Sequence, residues 1–291
     1  MNELLTIIVD LGLDTLSAYD PIKLLNDISL FLNCYQLQSA HNTFRLYAAY
    51  PEGAYLLFPI EEDQNAFVKR MAMGDIIKVI ADRFEKALTQ APQVYKGVQL
   101  AKKKACIASA MMKAVCFSRS WIEEVTVQKG QQFTARILVI QGPQEDPSQH
   151  TMIVNSIFAC QKLRVNIDGL ILHPPQSKFQ SSSLIQQAAF LTNGTIWEIE
   201  NPAKVFPTLL EVFLSNVIVR QKLRLPIAES SKSFNMSSQC IACQKYTSLG
   251  YACSFCLSLY CAPTVEAQTS QCHTVKQCLN CGKELSSDKV I

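Results

Sequence analysis

No apolar stretch in this chain approaches the roughly 20 residues that a membrane-crossing helix requires, so no span is expected. Several enzyme motifs are also missing. There is no GxGxxG after a strand, no GxxxxGK(S/T) phosphate loop, no GxSxG elbow and no HExxH helix. Dinucleotide-dependent dehydrogenase, P-loop ATPase, serine hydrolase and zincin chemistry are therefore not expected. Charge is sparse: Asp, Glu, Lys and Arg make up 18% of the 291 residues and sum to +3. Nothing resembles the basic stripe that neutralising a phosphate backbone demands, so strong autonomous nucleic-acid binding is not expected. Met1–Leu13 is apolar but carries Glu3 and Asp10, with no basic n-region or small-residue cleavage site. It reads as a first strand, not a secretory signal.

Cysteine, by contrast, is concentrated. Eight of twelve cysteines fall in the last 52 residues, and six of them form the Cys-x-x-Cys pairs Cys240/Cys243, Cys253/Cys256 and Cys278/Cys281. Cys261 and Cys272 stand between the last two pairs. Two thiolates three residues apart grip one metal ion from a single tight turn, and two such knuckles complete the tetrahedral sulfur shell that zinc prefers. Without a secretory signal, paired cysteines favour metal over disulfides and place the chain in cytosol or nucleus.

The simplest first zinc site is Cys240, Cys243, Cys253 and Cys256. Cys261, Cys272, Cys278 and Cys281 would form a second, with His273 as a further candidate ligand and Gly282 suiting the tight turn after the third knuckle. Spacing leaves the pairing open. Ligands run either sequentially or interleaved, with Cys253/Cys256 sharing a metal with Cys278/Cys281. One zinc ion is expected and a second is allowed. So small a module buries too little apolar surface to fold without metal.

Ahead of the tail, strand and helix patterns alternate. Leu4–Val9 is a continuous apolar run, the pattern of a strand buried on both faces. After Pro21, residues Leu24, Leu25, Ile28, Leu32, Tyr35 and Leu37 recur at helical spacing. Thr43–Tyr50 and Ala54–Phe58 read as strands joined by a Pro51-Glu52-Gly53 turn, the second an antiparallel edge. Helices over Ala72–Thr89 and Gly97–Phe117 precede a strand at Arg136–Gln141. A helix at Ser148–Gln161, a strand at Val165–Leu172, a helix at Ser183–Thr192, a short strand at Thr195–Glu198 and a helix at Ala203–Val219 complete the series.

This order implies an α/β fold, a doubly wound, mostly parallel sheet with one antiparallel edge strand. Residues 1–220 are read as that domain, the serine-rich stretch 221–238 as a linker and 239–291 as the cysteine-rich zinc-binding module.

Asp10 ends the first strand, where doubly wound sheets place their ligands. An Asp there suggests a von Willebrand A-like domain, whose metal motif is Asp-x-Ser-x-Ser, but the serine positions hold Gly12 and Asp14. Magnesium would lose both hydroxyl ligands. Asp10 is read as capping the following loop, with Asp146 as a remnant metal ligand at most. Cys34, Cys106, Cys116 and Cys160 sit in apolar helical patterns and read as small core hydrophobes. Lys102–Lys104 reads as a solvated helix face, as do Gln186 and Gln187. His41, His150 and His173 lack metal-ligand spacing and are given no role.

Arg136-Ile-Leu-Val-Ile-Gln-Gly142, Met152–Lys162, Val165-Asn-Ile-Asp-Gly169, Leu184–Ala189, Thr192-Asn-Gly194 and above all Gly250-Tyr-Ala-Cys-Ser-Phe-Cys-Leu-Ser-Leu-Tyr-Cys261 occur in one order along the chain. Together they resemble the family of 34-kDa subunits of the general transcription and DNA repair factor TFIIH. The resemblance implies a non-catalytic, nuclear scaffold of the TFIIH core acting in RNA polymerase II initiation and nucleotide excision repair. It also implies a hetero-oligomer with a 44-kDa-type partner subunit, a degenerate A-type metal site, and a zinc finger where Cys240–Cys256 lies. Two other functions compete. One is a RING-like ubiquitin ligase, although Cys256-x4-Cys261-x10-Cys272 departs from the RING ligand order. The other is a metal-dependent A-type ligand-binding module.

Overall fold

A computed structural model describes residues 3–12, 15, 19–39, 41–51, 53–59, 74, 77–86, 104–129, 133–143, 146–174, 183–223, 238–243, 245–247, 250–261 and 277–284. The sheet domain is built on strands β1 (Glu3–Asp10), β2 (Thr43–Tyr50), β3 (Gly53–Phe58), β4 (Thr134–Gln141), β5 (Asn166–Leu172) and β6 (Ile196–Ile199). They form one sheet in the order β3-β2-β1-β4-β5-β6. Every pairing is parallel except that of β3 with β2, the expected antiparallel edge.

Every residue of β1 is buried, because helices cover both faces of the sheet. Leu5, Ile7 and Val9 point to one layer, with helix α1 (Pro21–Gln38) and the segment 205–213. Leu4 and Ile8 point to the other, with α2 (Ile107–Lys129), α3 (His150–Leu163) and α4 (Ser183–Leu191). Asp20 caps α1, its carboxylate accepting from the Ile22 amide at 3.0 Å. Leu37, expected on the buried stripe of α1, is exposed at the last turn. Residues 77–86 are helical; the rest of the helix expected over Ala72–Thr89, apart from residue 74, lies outside the described residues.

Two helices differ from expectation. The one expected over Gly97–Phe117 begins at Ile107 and runs to Lys129. Its start is fixed from a distance: the Cys106 amide donates to the Tyr50 carbonyl at 2.8 Å. The Gln149 side chain accepts from the Ala108 amide and donates to the Ala105 carbonyl, each at 2.9 Å. Beyond Phe117, buried Trp121 packs edge-on against Phe133, which keeps α2 on the sheet.

The helix expected over Ala203–Val219 is broken into a 3₁₀ turn (Pro202–Lys204), α5 (Val205–Thr208), a π turn (Leu209–Phe213) and α6 (Val217–Leu223). The buried Arg136 guanidinium donates to the Phe213 carbonyl at 2.6 Å and the Ser215 carbonyl at 3.5 Å, taking up carbonyls a continuous helix would use. Asn216 restarts the chain by accepting from the Val219 amide.

Candidate metal centres

The tail is built from short hairpins, β7 (Ser238–Gln239) with β8 (Tyr246–Thr247) and β9 (Gly250–Ala252) with β10 (Leu259–Cys261). Each Cys-x-x-Cys pair folds into the same turn. The first cysteine amide donates to the carbonyl five residues on: Cys240 to Lys245 at 2.9 Å, Cys253 to Ser258 at 2.9 Å and Cys278 to Lys283 at 2.7 Å. The residue after the second cysteine of two knuckles is left-handed, Leu257 at φ 58° and Gly282 at φ 72°, and donates its amide to the first cysteine's carbonyl. Glycine adopts this conformation without a steric penalty; leucine does so at a cost that the turn must offset.

The knuckles assemble by geometry that spacing does not encode. The thiols of Cys253, Cys256, Cys278 and Cys281 all lie within 4.8 Å of one another. Cys253 and Cys281 are 3.6 Å apart, and Cys256 and Cys278 3.5 Å. A zinc–sulfur bond of about 2.3 Å puts tetrahedral sulfurs about 3.8 Å apart, so this cluster is close to the size of a four-thiolate zinc shell. Cys240, Cys243 and Cys261 form a second cluster, with Cys243 and Cys261 3.8 Å apart. Both clusters can hold a metal ion.

The set Cys240, Cys243, Cys253 and Cys256 is therefore not one cluster, and Cys261 does not join Cys278 and Cys281. The hairpin is the reason. Its register, Ala252 opposite Leu259 and Gly250 opposite Cys261, puts the second knuckle at the tip and Cys261 at the base. The Ile241 amide donates to the Leu259 carbonyl at 2.9 Å, which holds the first knuckle beside β10. Cys272 and His273 lie outside the described residues.

Burial alone would raise the Cys278 thiol, but hydrogen bonds from the Tyr260 hydroxyl and the Cys281 and Asn280 amides draw it down to about 6. Burial opposes the Cys240 thiolate too, yet backbone bonds from Cys243, Cys261 and Ala242 bring that thiol to about 7. Cys281 moves the other way. The Lys283 amide favours its thiolate, but burial and crowding against Cys253, Cys278 and Cys256 push it up to about 12. A divalent cation bound among the four sulfurs would favour their thiolate forms.

At the carboxyl end of β1, the Asp10 carboxylate accepts from the Gly12 amide at 2.7 Å, the Thr15 hydroxyl at 2.8 Å and the Gly142 amide at 3.2 Å. It closes the loop after its own strand. Asp146 does the same for the turn before α3. Burial would raise its carboxyl, but bonds from Gln149 and Ser148 hold it below the usual range.

The other candidates scatter. Cys160 is fully buried, and burial pushes its thiol up to about 12. Cys34 and Cys106 are half-buried, and Cys116 is exposed on α2, so the core reading does not hold for it. Gln186 is buried and donates to Glu198 at 3.2 Å, whereas Gln187 is half-buried. His173 meets the same Glu198 carboxylate at 3.2 Å, and His41 is exposed. Lys102 and Lys103 lie outside the described residues.

The sequence reading missed a buried ionic network at the amino ends of the strands. Arg136 pairs with Glu3 at 3.2 Å and Asp168 at 3.5 Å, and Arg220 grips Asp168 with both terminal nitrogens, at 3.0 and 2.8 Å. The Tyr35 hydroxyl donates to the Glu3 carbonyl at 3.0 Å. Charges inside otherwise apolar strand runs (Arg136 in β4, Asp168 in β5) were the available signal.

The profile of the transcription factor Tfb4 family matches residues 2–281. Among relatives, the general transcription and DNA repair factor IIH subunit TFB4 of Arabidopsis thaliana is 29% identical, over 53% of this chain and 45% of its own length. The general transcription factor IIH subunit 3 of Dictyostelium discoideum is 24% identical, over 85% of this chain and 66% of its own length. The Schizosaccharomyces pombe tfb4 subunit is 24% identical, over 89% of this chain and 83% of its own length. The chain thus spans less than two thirds of the first two relatives. A crystal structure of the TFIIH p34 N-terminal domain shares the fold, with a TM-score of 0.58 and 22% identity, over 72% of this chain and 96% of that one.

Proposed function

The chain belongs to the transcription factor Tfb4 family, and from that premise we propose that it is a non-catalytic structural subunit of the TFIIH core. In this reading it works in the nucleus, in RNA polymerase II initiation and nucleotide excision repair, as part of a hetero-oligomer. Its sheet domain, residues 1–220, binds a 44-kDa-type companion subunit, and the module at 239–291 follows a linker at 221–238. Helix α6 extends to Leu223, so the first residues of that linker are still helical.

The observation that carries the proposal is the family match itself, which runs through both the sheet and the cysteine-rich tail. The names of the relatives, subunits of a transcription and DNA repair factor, agree with it. The engagement of Asp10 by its own chain favours a scaffold over a metal-dependent A-type module.

The tail is proposed to hold two zinc ions. Cys253, Cys256, Cys278 and Cys281 hold one; Cys240, Cys243 and Cys261 hold the other, with Cys272 or His273 as fourth ligand. Bound zinc supplies folding energy by cross-linking segments that bury too little apolar surface on their own. The interleaved grouping is also how RING domains pair their ligands, so the ligase reading is tested directly: incubation with a panel of conjugating enzymes is expected to give no ubiquitin chains.

The decisive experiment is purification of the tagged chain from its native cell with identification of its partners. TFIIH core subunits, including the helicases and a second subunit with A-type and zinc-binding domains, are expected. Recovery without them overturns the proposal.

A further inference from the structure

The four-thiol cluster touches the sheet domain through residues its own turns hold in place. Asn280, between Cys278 and Cys281, donates from Nδ2 to the Thr151 hydroxyl and to the Ser258 hydroxyl, the latter at 3.0 Å. Leu257, which follows Cys256, offers its carbonyl to His150 Nε2 at 3.3 Å. His150 and Thr151 are the first two residues of α3, which begins near the carboxyl end of β4. Both tail groups depend on closed knuckles. Leu257 is held left-handed by its amide bond to the Cys253 carbonyl, and the turn carrying Asn280 is closed by the Gly282 amide on the Cys278 carbonyl. Ser258, which receives Asn280, is buried with its hydroxyl 3.0 Å from Cys256 Sγ. The other cluster is tied instead to the hairpin base, through Ile241 and Leu259.

We propose that the Cys253/Cys256/Cys278/Cys281 centre is a metal-dependent docking device that seats the tail on the first turn of α3. This rests on the zinc reading above. Zinc at this centre sets the backbone of Leu257 and Asn280 and so presents one acceptor and one donor to α3. Docking holds the same two turns closed and so retains the metal. Binding linkage makes the two effects reciprocal: a residue of α3 more than 100 positions from these cysteines controls how tightly they keep zinc. Loss of this zinc frees the tail from α3, whereas the Cys240/Cys243/Cys261 centre is insensitive to changes in α3.

The test uses the full zinc-loaded chain and the rate of zinc transfer to a chromophoric chelator. Thr151→Val keeps the side-chain shape and removes the acceptor for Asn280. It is expected to speed release from one of two zinc ions about fivefold, the factor corresponding to one hydrogen bond, with the sheet domain's thermal midpoint unchanged. His150→Phe, which removes the bond to Leu257, is expected to act alike. Asn280→Ala is expected to speed the same phase, and adding Thr151→Val to it to change nothing more, because the two residues share one bond. Wild-type release rates in both Thr151→Val and His150→Phe overturn the docking while leaving the zinc reading intact. Multiplying effects in the Thr151→Val/Asn280→Ala pair overturn it as well. A wild-type chain purified without zinc overturns both readings.

Discussion

Replacing Asp168 by Asn tests whether the sheet domain is held by a neutral buried network. The Asp168 side chain is fully buried, and its oxygens accept from Arg220 at 3.0 and 2.8 Å, from the Thr195 amide at 2.8 Å and from Arg136 at 3.5 Å. Glu3 is the other acid, but burial pushes its carboxyl upward against the pull of Arg136, which leaves Asp168 the stronger counter-charge to two guanidinium groups. Asp168→Asn preserves the shape and deletes that charge.

Breaking a buried pair from one side costs about 3–5 kcal/mol, a large share of the roughly 5–15 kcal/mol that holds a domain together. Arg220→Met should cost slightly less, because Asp168 keeps Arg136. Combining the two removes one charge of each sign and leaves Glu3 facing Arg136, so the double variant should fall short of the summed costs by at least about 2 kcal/mol. Urea unfolding of the full chain, followed by far-UV circular dichroism, measures all four corners if the slopes stay equal. Single costs below about 1 kcal/mol, or costs that add within about 0.5 kcal/mol, would refute the reasoning and mean that water reaches these charges.

Two further predictions concern the cysteines. Interleaved pairing implies that Cys253→Ser with Cys278→Ser abolishes one zinc site, whereas Cys253→Ser with Cys240→Ser abolishes both; metal analysis of the purified variants decides between this and sequential pairing. In the zinc-loaded native chain, iodoacetamide at mildly alkaline pH should modify exposed Cys116 readily and leave Cys160, buried with its thiol at about 12, untouched. Removing the metal should add the tail cysteines to the reactive set, and peptide mapping that finds Cys160 modified as fast as Cys116 would contradict the buried placement.

The strands were legible because burial on both faces leaves a direct mark on composition. Leu4–Val9 and Arg136–Gln141 are unbroken apolar runs but for Thr6 and the charge or amide at an end, and both lie at the centre of the sheet. The starts and breaks of helices were less legible wherever a distant side chain set them. Nothing near Ile107 announces the start of α2, because its capping group is Gln149, 41 residues beyond the Ala108 amide it accepts from. Nothing near Leu214 announces a break, because the guanidinium that takes up the local carbonyls comes from Arg136, 77 residues before Phe213. The cysteine pairing stayed open for a related reason. Spacing reports how long a loop is, while the register of β9 against β10 decides which knuckle lies at which end.

Hydrogen bonding sets Asp10 apart from the four-thiol cluster of the tail. At the end of β1, Asp10 takes donors from Gly12, Thr15 and Gly142, so its charge is met by protein. A side chain at position 12 would start with a Cβ 3.0 Å from Asp10 Oδ1 and 3.2 Å from the Ala105 nitrogen, so a serine ligand there would need both neighbours to shift.

In the tail the balance is reversed. Cys253, Cys256, Cys278 and Cys281 crowd one another, with one hydroxyl donor to Cys278 and backbone amides among the groups that favour thiolates. Those donors bring the Cys278 thiol down to about 6, while Cys281 is pushed up to about 12. A divalent cation among the four sulfurs would favour their thiolate forms. The Asp10 carboxylate is thus satisfied by its own chain, whereas the four thiols form a cluster that could hold a metal ion.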